Sequence, residues 1–113
     1  MELSPRAWNL RQYNHMDSLL GKYKVGRLPL GTLVNTLDLL FAHAKPVDEA
    51  WDRKFEKQWE TLEIEYATIL YREESGQPTD PNSPIRILEA VESMRQLLAP
   101  KLLEVEEEEE EQE

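Results

Sequence analysis

Residues 60–66 read ETLEIEY, which puts Glu60, Glu63 and Glu65 within six residues of one another, beside Trp59 and Tyr66. Carboxylates so spaced have three uses. A pair held in a cleft with shifted pKa values does general acid–base work. In a helical bundle, glutamates from facing helices hold two metal ions when Glu-x-x-His recurs on two of them. On an exposed helix face they keep that face wet or meet a basic partner. The second use fails on spacing, because Gln12 and Leu40 stand three residues before His15 and His43. His15 is expected at the inner edge of the first helix. His43 is expected at the end of the second, where a histidine favours the negative end of the helix dipole.

Other reactive equipment is sparse. With no cysteine, the chain has no thiol nucleophile, cysteine zinc site or cysteine-held iron–sulfur cluster. Ser4, Ser18, Ser75, Ser83 and Ser93 lack the Gly-flanked turn of a nucleophile elbow. GKYKVGRLPLG has three glycines but no phosphate-loop spacing. Its Lys22, Lys24 and Arg27 with Tyr23 are too few for a nucleic-acid footprint in a near-neutral body. No enzyme activity, cofactor or metal is expected.

The elements that would position these residues read as helices throughout, with no sustained period-two alternation. Ser4-Pro5 supplies a cap and a first-turn proline. Behind them Trp8, Met16, Leu19, Leu20 and Tyr23 point inward, and Gly26 stops the helix. Pro29 opens a second helix with Leu30, Leu33, Val34, Leu37, Leu40, Phe41 and Ala44 on one stripe. Lys45-Pro46-Val47 ends it. Asp48 caps a third helix, about 48–75, whose Trp51, Phe55, Trp59, Leu62, Tyr66, Ile69 and Leu70 share a sector of roughly 100°. Gly76 can close it. Ser75–Pro84, SGQPTDPNSP, is a loop with three prolines. A fourth helix would bury Ile85, Leu88, Val91, Met94, Leu98 and Leu102, with Pro100 bending or ending it. The expected fold is all-α: an antiparallel four-helix bundle over 1–103 with one long central helix, followed by an acidic polyglutamate tail, 104–113, expected to be disordered.

Net charge is −10, but residues 1–103 hold 15 acids against 13 bases, so most of it sits in the tail. Within the body, residues 48–75 carry nine acids and four bases. On the helical wheel, Glu49, Asp52, Glu56, Glu60 and Glu63 form one acidic stripe beside the apolar sector, with Glu74 in line further along, and Glu65 points away towards the side of Lys54. The first five are the candidate partner-binding residues, and the partner they suit is a basic protein. Nucleic acid is not expected. No apolar run approaches the ~20 residues that span a bilayer, and no secretory leader pattern opens the sequence, so a soluble cytoplasmic protein is expected. Leu10, Leu39 and Ile64 offer an alternative, a homodimer interface.

Residues 23–41, YKVGRLPLGTLVNTLDLLF, and 49–70, EAWDRKFEKQWETLEIEYATIL, together resemble small helical bacterial immunity-type proteins, which neutralise polymorphic or contact-dependent toxins. The resemblance implies a non-enzymatic inhibitor that occludes a toxin domain. The positions that carry it (Trp51, Phe55, Trp59, Leu62 and Tyr66) are core positions on spacing alone, so they speak first for fold. It carries no binding residue over to this chain.

Overall fold

A computed structural model describes residues 4–45 and 48–111. It contains α1 (Pro5–Lys24), α2 (Leu30–His43), α3 (Glu49–Glu74) and α4 (Ser83–Glu111), with no strand among the described residues. Pro46 and Val47, expected to contribute to the break after α2, lie outside the described residues, as do 1–3 and 112–113.

The helix ends follow local chemistry. Ser4 Oγ accepts from the Ala7 N–H at 3.1 Å, and Asp48 caps α3 by accepting from the Trp51 N–H, also at 3.1 Å. Gly26 and Gly76 stand at φ 77° and 69°, just past α1 and α3, in the left-handed conformation a side chain resists. Ser83 does not use its side chain as Ser4 and Asp48 do. It opens α4 but turns its hydroxyl onto Glu65.

The helices close a ring. α1 packs on α2 and α4, and α3 packs on the same two, while α1 and α3 face each other across the core. Bridging residues rise along one helix as they fall along the next. Trp51 meets Leu97 while Glu65 meets Arg86, and Phe41 meets Phe55 while Val34 meets Trp59. Neighbours therefore run in opposite directions. No single helix is central, and α4, at 29 residues, exceeds α3 at 26.

The core joins Tyr13, Met16, Leu19, Leu20, Leu33, Val34, Leu37, Trp51, Phe55 and Leu62 to Ile87, Ala90, Val91, Met94 and Leu98. Phe55 stacks between Phe41 and Trp51, with ring centroids 5.6 and 5.0 Å away. Two expectations for α4 need correction. Ile85 and Leu88 are 55% and 44% exposed, and Ile87 and Ala90 take the inward places. The run IRILEAV permits either register, and the grip of Glu65 on Ser83 and Arg86 selects the one that turns Ile87 inward. Nor does Pro100 end the helix. Lys101 reaches Asp48 at 3.0 Å and Leu102 packs on the core, so the chain gains contacts by continuing. The helix assigned as α4 extends to Glu111, which takes in the first part of the glutamate run.

Candidate docking face on helix α3

The five stripe carboxylates do not share one environment. Glu49 is spent locally, on Arg53 one turn along at 2.5 Å, with both side chains largely in solvent. Asp52 is half-buried near Asp48 and Lys101. Burial pushes its carboxyl above the ordinary range, the Asp48 charge adds to this, and Lys101 opposes it. Glu56, Glu60 and Glu63 are exposed, and their carboxylates make no ion pair or hydrogen bond with any described residue. The stripe thus divides into a structural N-terminal segment and a free stretch lying further along the helix.

Other carboxylates are engaged. Asp17 binds Arg95 at 3.1 Å, and Glu92 binds Lys24 at 2.6 Å. Asp48 holds Lys101, and that bond, followed by the one from the Trp51 N–H, lowers its carboxyl. Glu65, expected to point towards the Lys54 side, is 7% exposed. It accepts from Ser83 Oγ at 2.6 Å and from the Arg86 guanidinium, which also holds Asp80 at 2.7 Å. The bond from Arg86 comes first among the causes holding both Glu65 and Asp80 below the usual carboxylate range. This cluster joins α3 to α4 and orders the loop between them.

The free carboxylates have apolar company. Glu60, Ile64, Ala67 and Tyr71 follow one another at four, three and four residues, which makes them one ridge of α3. Ile64 and Tyr71 are each 63% exposed. Next to this ridge lies the seam between α2 and α3. There a groove of about 470 Å3 is lined by Leu30, Gly31, Asn35, Tyr66, Leu70 and Glu73, among others. Spacing did not mark this groove. Its one sequence signal was Gly31 inside an otherwise ordinary helical stripe. A Cβ there would lie 2.5 Å from the Tyr66 hydroxyl oxygen, so the glycine lets the ring close over α2.

The remaining candidates are dispersed. His15 is exposed on α1, off the inner edge where spacing put it. His43 is exposed and pairs through Nδ1 with the Leu39 carbonyl at 2.6 Å. Among the described residues no group of three or more His, Asp or Glu is placed to hold a metal ion. No described helix is long and apolar enough to cross a membrane. Trp8 is partly buried, and its indole donates to the His43 carbonyl. No family model matches the chain, and no curated protein or solved structure matches it.

Proposed function

We propose that this chain is a non-enzymatic, cytoplasmic protein-binding module that docks a basic protein on the outward face of α3. The observation that carries the reading is the run of carboxylates at Glu56, Glu60 and Glu63, unpaired among the described residues, beside exposed Ile64 and Tyr71. Charge of one sign steers encounter, and exposed apolar side chains supply the burial that holds a complex. Ile64 and Tyr71, each 63% exposed, give the face apolar area for a complex to bury. The likeness of residues 23–41 and 49–70 to immunity-type proteins makes a bacterial toxin domain the specific partner class, with inhibition by occlusion as the mechanism.

Capture from lysate of the source organism tests this, with the full chain, a chain ending at Leu103 and the Glu56→Lys/Glu60→Lys/Glu63→Lys variant. One basic protein should bind the first two and be lost from the third. Capture that survives charge reversal removes α3 as the site. Capture that disappears with the glutamate run or with moderate salt assigns binding to nonspecific ion exchange.

A second reading is a homodimeric regulatory or assembly protein. It is favoured by Leu39, 60% exposed, together with Ile64; Leu10 is half-buried and less available. Light scattering that shows one chain per particle at high concentration counts against it.

A further inference from the structure

We infer that the groove between α2 and α3 receives an apolar side chain of the basic partner, so that docking uses an acidic-rimmed groove beside the exposed ridge. This inference rests on the docking reading above and names the chemistry of the partner segment: lysine- or arginine-rich, with an apolar anchor.

Three observations point the same way. First, the groove has an apolar floor. Leu30, Ile69 and Leu70 line a space of about 470 Å3, within the ~300–1,000 Å3 of sites that take up organic groups. Second, Glu73 is the one charged residue that lines it, and two further acids, Glu63 and Asp38, lie beyond the lining on the same helix sides. Glu63, Tyr66, Leu70 and Glu73 follow at three, four and three residues along one side of α3, and Gly31, Asn35 and Asp38 at four and three along the facing side of α2. Glu63, Glu73 and Asp38 are exposed, and their side chains make no ion pair or hydrogen bond with described residues. α2 itself contains no lysine or arginine to offset them. Third, the Tyr66 hydroxyl at the groove wall makes no hydrogen bond to any described residue, which leaves it available to an incoming chain.

These features choose the occupant. A second copy seated two-fold symmetrically on this groove would bring the acids of one copy (Asp38, Glu63 and Glu73) near those of the other, and like charges so placed repel. A purely basic segment would leave the floor unused. An amphipathic basic segment uses both, as helices do when they lay an apolar face into a groove.

Isothermal titration calorimetry of the full chain tests this with two synthetic 14-residue peptides of equal charge. One carries lysines with leucines at helical spacing, and the other has serine in place of every leucine. The lysine–leucine peptide should bind the natural sequence at least about tenfold more tightly, as burial of one large apolar side chain implies. Asn35→Trp, which fills the groove, should erase that difference while leaving the lysine–serine affinity as it was. Thr32→Trp gives the same readout if Asn35→Trp does not fold. Glu56→Lys/Glu60→Lys should weaken both peptides. Equal binding of the two peptides, or a leucine advantage that survives the filled groove, overturns the inference and leaves the acidic face standing. If neither peptide binds, or charge reversal changes nothing, the docking reading falls and the groove with it.

Discussion

Glu65 shows what one residue's surroundings decide. Its neighbours in sequence are exposed or half-buried, yet it lies inside, shared between Ser83 and Arg86. Spacing turned it towards the side of Lys54 and could go no further, because its partners come from another helix, 18 and 21 residues along. Stability should therefore depend on pH in a defined sense. Arg86 holds the Glu65 carboxyl below its ordinary 4.5, so the stabilisation is fully present above that pH and is lost as pH falls through the lower folded value. Asp80 acts in the same direction from 3.8. Glu65→Ala should cost about 1–3 kcal/mol at pH 7, since it leaves the buried Ser83 hydroxyl without its acceptor. Urea unfolding at pH 7 and pH 3 should show the gap to the natural sequence narrowing in acid; a constant gap would refute the ion pair as its source. Gly31 makes a second residue-scale case. In an open helix Gly→Ala gains up to ~1 kcal/mol. Here the new methyl meets the Tyr66 ring, so Gly31→Ala should destabilise, whereas in a Tyr66→Leu background the same change should stabilise. Thermal melts of the four proteins check the change of sign.

At the scale of the element, helix existence and caps were legible, and facing was less so. Ser4, Asp48, Gly26 and Gly76 act where their chemistry placed them, because a cap is decided within four residues. The stripe of α2 was also readable, since Leu33, Val34 and Leu37 sit among polar residues that allow one register only. α4 was ambiguous, because Ile85, Ile87, Leu88, Ala90 and Val91 are too closely spaced for periodicity to choose among them. Pro100, read as bending or ending the helix, does not end it, for a related reason. Local rules end the helix there, while Lys101 and Leu102, one and two residues on, have partners in the bundle. The proline is thus carried at a cost. Pro100→Ala should raise stability by up to ~3 kcal/mol and increase helical circular dichroism. A variant that melts with the natural sequence would place the functional end of α4 at residue 100.

Over the whole molecule, the all-α ring could be expected from four amphipathic patterns and short links, but which surfaces stay open could not. That depends on how each helix is rotated against its neighbours. The acidic stripe illustrates the difference. Five residues share one arc of the wheel, yet Glu49 pairs with Arg53 on its own helix, Asp52 is half-buried, and Glu56, Glu60 and Glu63 have no ion pair or hydrogen bond with described residues. The α2/α3 groove was invisible for the same reason, since it exists only where two helices meet. Charge is likewise segregated by position. Most of the net −10 lies in the glutamate run at the end of α4, so removal of that run tests the body's own, much smaller field.

The three tryptophans share a feature beyond packing. Each indole N–H donates to a backbone carbonyl in another helix: Trp8 to His43 at 2.6 Å, Trp51 to Leu97 at 2.8 Å and Trp59 to Val34 at 3.0 Å. They lie on three different joints of the ring, α1–α2, α3–α4 and α2–α3. The molecule therefore carries an intrinsic fluorophore at each of these seams. Replacing two of them with phenylalanine leaves a single emitter whose colour reports when one chosen pair of helices parts. The fourth joint, between α1 and α4, has no such tryptophan bond, and none of the three reports on it directly.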